Sequence, residues 1–374
     1  MRKFLGVLSI LMIAVFLLTA CAPQVAEPEV EEPSVDVEEP VVEEPATEVE
    51  EVPEVDVEEE AAVEEEEESE EVEMTVLPEM TKVSILTDWW HSTDYAALLG
   101  ADYHGFFTER NLDVEIRQGG PGIRPANDVV TGEVDFANAL AENVILAEAA
   151  GGELVAFFAT YQVSPMGLMV HEETGASSFQ DIIDQDMTVR IFPGQVFWEV
   201  LKCENDIQLE EIMYDGVLST WINEKNWADQ AFATTNPYHV MQEGAKPVHI
   251  SATQLGFRSY ATTYFTTREF AEENPLVVRA FAEALREGLA AFLEDPAPVV
   301  NHVISLNEDF IFDVGMFASD VMQELCVSEV TDELGLGAMD GAVWSDVASR
   351  MYSCGIIDVE VDADQIWTNE FLLP

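Results

Sequence analysis

The chain has 374 residues, with 74 Asp and Glu against 15 Lys and Arg, a formal net charge of −59. So acidic a surface argues against nucleic acid and anionic membrane faces as partners. A salt-adapted source gives the same surplus, so the charge does not identify a ligand.

Residues 1–21 read as a lipoprotein signal peptide. Arg2 and Lys3 precede an apolar stretch from Phe4 to Leu18, which closes in Leu18-Thr19-Ala20-Cys21. LTAC matches the bacterial lipobox, so Cys21 is the expected lipidation site and new N-terminus. The apolar stretch is short for a spanning helix. Residues 22–81 form a predicted disordered tether, acidic and rich in Glu, Val and Pro, with no basic residue before Lys82. Such a composition buries too little apolar surface to offset chain entropy. A basic partner or calcium is the alternative use of its charge.

The remaining 293 residues are too many for one small core and suit two lobes. Residues 82–163 read as the first part of lobe I. Val83-Ser84-Ile85-Leu86 is a strand leading to Asp88-Trp89-Trp90-His91, followed by a helix over Tyr95–Tyr103. Leu112–Ile116 is a second strand, followed by the Gly119-Gly120-Pro121-Gly122 loop. Val134–Ala137 is a third, leading into a helix from Asn143, and Leu154–Ala159 a fourth. This alternation predicts α/β units on a mainly parallel sheet. The pattern restarts in residues 164–261, read as lobe II, with strands at Met166–Val170 and Thr188–Ile191 and a Pro193-Gly194-Gln195 turn into a helix carrying Phe197 and Trp198. Residues 262–374 read as a return to lobe I plus C-terminal helices, the clearest of them capped by Asn274 and starting at Pro275. Two extended crossings, near residues 161–165 and 261–265, would leave a cleft between the lobes.

Ligands of open α/β sheets sit at the carboxyl ends of strands. Those positions hold Asp88, Trp89, Trp90 and His91 with Tyr95, then Gly119, Gly120 and Pro121, then Asn138 and Asn143. The first crossing adds Tyr161, Gln162 and Ser164, and lobe II adds Gln195, Phe197, Trp198, Asn236 and Tyr238. Aromatic rings with amides and few charges suit a flat, weakly charged ligand, through stacking and edge hydrogen bonds. Each residue also has a purely structural reading: one tryptophan as core, GGPG as a tight turn, Phe197 and Trp198 as helix packing, His91 as a hydrogen-bonded loop residue. There is no GxSxG, HExxH, Walker loop or GxGxxG, and the six histidines lack metal spacing. No catalytic residue, metal or cofactor is expected. Cys203, Cys326 and Cys354 form no CxxC; in an oxidising compartment Cys326 and Cys354 could pair, leaving Cys203 free, or all could stay reduced.

Five segments taken in order, DWWHSTDYAALLGADYHGFFTERNLDVEI (88–116), GGPG, TGEVDFANA (131–139), YQVSPMGLMVH (161–171) and PGQVFWEVL (193–201), resemble the substrate-binding proteins of ABC importers. Within that sulfonate, nitrate and taurine group the chain resembles the branch that binds thiamine pyrimidine precursors and riboflavin. The resemblance covers about residues 82–298. It implies an α/β, type II periplasmic-binding-protein fold: two lobes, two crossover segments and a ligand cleft between them. It also implies an ABC permease and ATPase as partners, a small heteroaromatic ligand, no nucleic acid, and a lipid-anchored location exposed to the periplasm or cell exterior. A sulfonate, taurine or nitrate ligand, or a non-transport sensor role, is the alternative. Related proteins often carry Glu-Pro-Tyr where this chain has Asn236-Pro237-Tyr238. Arg117, Arg124, Arg190 and Arg258 remain candidates for an anionic tail. Pyrimidine synthases of the thiamine pathway share the fold, but depend on a cysteine-rich iron motif and a lysine for pyridoxal phosphate.

Overall fold

The computed structural model describes residues 74–373; the signal segment, Cys21 and the tract to residue 73 lie outside the described residues. The expectation of a tether to residue 81 is corrected at its end. Leu77 is buried, its N–H donates to Arg110 O (3.1 Å), and Thr75 donates to Glu283 through N–H and hydroxyl at 2.9 and 2.8 Å. Asn111 Nδ2 also donates to Leu77 O (2.6 Å), so one apolar side chain and four hydrogen bonds dock residues 75–77 on the body.

The first lobe opens with β1 (Thr81–Leu86), α1 (Ala96–His104), α2 (Phe106–Glu109), β2 (Leu112–Arg117), α3 (Pro125–Val130), β3 (Phe136–Ala139), α4 (Ala141–Ala149) and β4 (Leu154–Tyr161). The second holds β5 (Met166–His171), α5 (Phe179–Asp184), β6 (Thr188–Ile191), α6 (Val196–Asn205), β7 (Glu211–Met213), α7 (Leu218–Asn223), β8 (Trp227–Phe232), α8 (Asn236–Gln242) and β9 (Pro247–Ser251). The chain then returns through β10 (Ala261–Thr267) to α9 (Arg268–Glu273), α10 (Pro275–Glu294), α11 (Pro296–Leu306), α12 (Phe312–Leu325), α13 (Glu329–Leu334) and α14 (Gly341–Ser353).

Each lobe carries one five-stranded sheet, ordered β2-β1-β3-β10-β4 and β7-β6-β8-β5-β9. The sheets are mixed. β1, β2 and β3 run parallel, as do β6, β7 and β8, whereas β10 is antiparallel to β3 and β4, and β5 antiparallel to β8 and β9. Each antiparallel strand enters its sheet directly from the other lobe, so no crossover helix forces it parallel. The second crossing is correspondingly earlier than expected: residues 261–265 lie inside β10, and the link from β9 is residues 252–260. The two crossings run side by side, with Ser164 N–H donating to Ser259 O at 3.2 Å.

Helix α10 buries Val278, Phe281, Leu285, Leu289 and Phe292 at helical spacing, each contributing about 1.5–3 kcal/mol. Pro275 starts it. Asn274 holds the cap position, but its amide donates to Phe270 O instead of capping. α1 crosses α10 at two glycines. A Cβ on Gly100 would lie 2.4 Å from Gly288 O, and one on Gly288 2.2 Å from Ala97 O, so both positions exclude any side chain.

The cysteine pairing differs from the expected one. Cys203 at the end of α6 bonds Cys354 just beyond α14, with Cα atoms 5.9 Å apart, and Cys326 is the buried free thiol. Residues 28 apart in sequence suggested Cys326–Cys354; the fold instead brings α14 back against α6 of the other lobe.

Candidate ligand cleft

The carboxyl ends of the parallel strands of both sheets face one another. Asp94, just beyond β1, accepts hydrogen bonds at Oδ1 from Tyr161 OH on the first lobe (2.7 Å) and from Thr234 Oγ1, just beyond β8 on the second (2.8 Å). Its Oδ2 accepts from Ser92 Oγ at 2.9 Å. Beside this contact Tyr238 on α8 lies 5.6 Å from Phe317 on α12. The strand-end loops therefore border a common cleft.

On the first lobe the loop after β1 presents two rings to solvent. Trp89 is 42% and Trp90 48% exposed, with centroids 5.0 Å apart and planes tilted by 56°. The glycine loop fixes them from below. Gly119 N–H donates to Thr87 Oγ1 (3.1 Å), which itself donates to Trp89 O (2.8 Å). A Cβ on Gly119 would lie 1.9 Å from Thr87 O, and one on Gly120 3.1 Å from Trp90 Nε1. The GGPG segment is thus a turn whose glycines admit close contact with the tryptophan loop; Pro121 is exposed at its tip. His91 turns inward, its N–H donating to Gln118 Oε1 and its carbonyl accepting from Asn307 Nδ2. Burial holds its imidazole below the usual range.

Asp88 anchors the floor. Its Oδ1 accepts from Tyr95 OH (2.7 Å) and Asn138 Nδ2 (2.9 Å). Burial pushes its carboxyl up, against the pull of those two donors. Asn138 is fully buried and its Oδ1 has no partner. Asn143 lies exposed in the first turn of α4.

Other sequence candidates are engaged elsewhere. Tyr95 and Tyr161 are buried, with their hydroxyls held by Asp88 and Asp94. Gln162 is fully buried; its amide donates to Ala338 O (2.9 Å) and accepts from Ser328 Oγ (2.9 Å), joining the crossing to the C-terminal helices. Ser164 is buried and accepts from Met166 N–H. On lobe II, Gln195 caps α6 with its carbonyl, which accepts from Trp198 and Glu199 N–H. Phe197 and Trp198 are each 1% exposed. They belong to the apolar core, Trp198 packing edge-on against Phe179 at 6.0 Å. Val196, Phe197, Trp198, Val200 and Leu201 are all buried in that core, so a first-turn position gave these rings no cleft exposure. The Asn236 side chain is also occupied: Oδ1 accepts from Phe232 N–H (2.7 Å) and Nδ2 donates to Tyr214 OH (3.1 Å).

Arg190 is corrected most clearly. It is buried, its Nε donating to both Asp229 oxygens at 3.0 Å, Nη1 to Asp215 (3.1 Å) and Nη2 to Val217 O (3.0 Å). Arg117 pairs with Glu115 and donates to Glu133 O. Arg190 is thus spent inside its lobe, whereas Arg117 is partly exposed and its Nη2 has no protein partner among the described residues. Arg124 and Arg258 are exposed.

Reading by sequence missed Phe192, 39% exposed directly after β6, and Tyr214 beside it at 5.2 Å. The strand-end rule that selects Trp89 selects Phe192 equally, since Phe192 directly follows β6 and precedes the Pro193-Gly194-Gln195 turn. It also missed Asp94 and Thr234, because only the closed arrangement of the lobes brings them together.

Residues 92–298, more than half of the chain, match the profile described as NMT1/THI5 like. The chain is similar to the riboflavin-binding protein RibY of Chloroflexus aurantiacus, at 22% identity over 316 residues covering 79% of this chain and 87% of RibY. It is also similar to the 4-amino-5-hydroxymethyl-2-methylpyrimidine phosphate synthase of Legionella pneumophila, at 21% over 228 residues, 58% of this chain and 71% of the synthase. Among solved structures, the periplasmic aliphatic sulphonate binding protein SsuA from Escherichia coli superposes with a TM-score of 0.60 at 14% identity, covering 77% of this chain and 92% of SsuA. Two mixed sheets, two crossings and facing strand ends are thus a type II periplasmic-binding-protein fold, and with the profile match they establish that the chain belongs to the NMT1/THI5-like family.

Proposed function

We propose that this chain is the lipid-anchored substrate-binding component of an ABC importer, held by Cys21 and exposed to the periplasm or cell exterior. It captures a small heteroaromatic ligand, riboflavin or a thiamine pyrimidine precursor, and delivers it to the permease. The observation that carries the ligand class is the exposed Trp89–Trp90 pair on its glycine platform, set in a cleft where the buried Arg190 is spent on Asp229 and Asp215. Stacking then supplies affinity where charge does not. The similarity to RibY agrees with this class.

Binding rather than catalysis fits the lysines. Lys82, Lys225 and Lys246 lie at the amino ends of β1, β8 and β9 and Lys202 on α6, each ion-paired to acidic neighbours, which leaves none of the four at the carboxyl-end cleft for a pyridoxal-type aldehyde.

Calorimetry with riboflavin, thiamine, formylated and aminomethyl pyrimidines, taurine and nitrate tests the ligand class. At least one ring compound should bind at micromolar levels or tighter; binding confined to taurine or nitrate overturns the reading. Intact mass of membrane-extracted protein should show a chain starting at Cys21 with added lipid.

A further inference from the structure

Lobe II meets the cleft with one exposed aromatic ring whose support is continuous. Phe192 stands at the carboxyl end of β6, next in the sheet to β8, and two residues beyond β8 Thr234 touches the first lobe. Its N–H donates to Gln230 Oε1 at 3.0 Å, which fixes the backbone. Its ring meets Tyr214 edge to face, with centroids 5.2 Å apart and planes at 81°. Tyr214 is held in turn on two sides. The guanidinium of Arg190 lies 5.3 Å from its ring centroid, and its hydroxyl accepts from Asn236 Nδ2 at 3.1 Å. The Asn236 amide cannot turn over without losing the Phe232 N–H bond to its Oδ1 (2.7 Å), so its donor end stays on Tyr214.

A single exposed phenylalanine needs no explanation by itself. One that is pinned at the backbone, braced at its edge and placed at the strand ends is a preorganised surface, and preorganisation lowers the ordering cost of binding. The same network disposes of the cation nearby. Arg190, which could have attracted an anion, is committed to Asp229, Asp215, Val217 O and the Tyr214 ring.

We propose that Phe192 is the ring lobe II presents to the ligand, and that Tyr214 and Asn236 are positioning residues that hold it. The inference rests on the heteroaromatic reading above and deepens it. Asn236, standing where related proteins often carry glutamate, acts here through Tyr214 and does not reach the ligand itself. The amide holds Tyr214 by donating to its hydroxyl while accepting from Phe232 N–H; a carboxylate would have to accept from the hydroxyl instead and would add a charge beside Tyr214.

The test is titration of the lipid-free chain with riboflavin, followed by flavin fluorescence, beside thermal unfolding of each variant. Phe192→Ala should weaken binding roughly 5- to 150-fold, the range for losing one stacked ring, without lowering Tm. Phe192→Trp should restore it to within about threefold. Tyr214→Phe keeps the ring and removes the Asn236 bond; it should weaken binding about threefold or more in the wild-type background and add nothing in Phe192→Ala. That non-additivity marks a residue acting through Phe192, because a merely structural role lowers Tm and adds independently. Should riboflavin fail with the wild-type chain, thiamine and the pyrimidines serve as probes in the same scheme. Unchanged affinity in Phe192→Ala, with the wild type binding a ring compound, overturns this inference alone. Wild-type binding of no ring compound overturns the heteroaromatic reading and this inference with it.

Discussion

Seven tryptophans are present, and the environment of each sets what its removal does. Trp89 and Trp90 leave nearly half of their surface in water on a loop held by Gly119 and Thr87. Trp198 is enclosed in the core of lobe II with its indole N–H unpaired. Trp89→Ala or Trp90→Ala should therefore cost about 1–3 kcal/mol of ligand binding and leave unfolding nearly unchanged. Trp198→Ala should cost about 3–5 kcal/mol of stability by opening a cavity, and calorimetric unfolding beside ligand titration separates the two. The opposite pattern would exchange their roles. From sequence alone the adjacent tryptophans and Trp198 look alike, since each lies just past a strand-end turn; what distinguishes them is tertiary packing, with Phe179 of α5 edge-on against Trp198 in the core.

Elements show the same division between local and distant information. Apolar runs and a helical face made β1, β2, β4 and α10 legible, because each carries its own pattern, and Pro275 marks the start of α10. The antiparallel entry of β10 and β5 was not, because sheet order is set by partners from the other half of the chain. Strand β9 adds a consequence for pH. His249 lies against the Ala231 carbonyl at 3.3 Å, and burial pushes its imidazole down to about 4. The neutral form is the folded one, so its contribution is present above about 6.5 and is lost as pH falls towards 4. On the neighbouring side of the same sheet, burial pushes the Asp229 carboxyl up to about 6 despite Arg190, a contribution present at low pH and lost as pH rises through 6. The two slopes oppose each other between about 4 and 6. His249→Gln keeps a donor to Ala231 O but does not titrate. It should gain roughly 2 kcal/mol relative to the wild type between pH 6.5 and 4, read from Tm against pH; parallel curves would show that His249 is solvated.

At the scale of the molecule, α14 joins what the two crossings already join. The chain before it is fixed to β4 by Ala159 N–H donating to Gly337 O (3.0 Å). The chain after it returns to β4 through Ala156 N–H to Ile366 O (2.7 Å) and Thr368 N–H to Ala156 O (2.8 Å). Between these anchors on the first lobe, α14 reaches α6 of the second. Arg350 pairs with Glu204 and donates to Gly256 O at 2.9 Å, and Cys354 bonds Cys203. This third tie is covalent and spans 151 positions, so by chain entropy it stabilises the fold by up to about 5 kcal/mol, less whatever structure the unfolded chain retains. Cys203→Ser, Cys354→Ser and the double variant should each lose the same 2–5 kcal/mol, since one bond is at stake, and reduction of the wild type should match them. Cys326, whose thiol burial pushes up, should remain unreactive towards a thiol reagent until the protein unfolds. Identical Tm before and after reduction, with Cys203 and Cys354 shown to be freed, would place the tie outside the stability of the fold. A loss on reduction that neither serine variant reproduces would assign it to another bond.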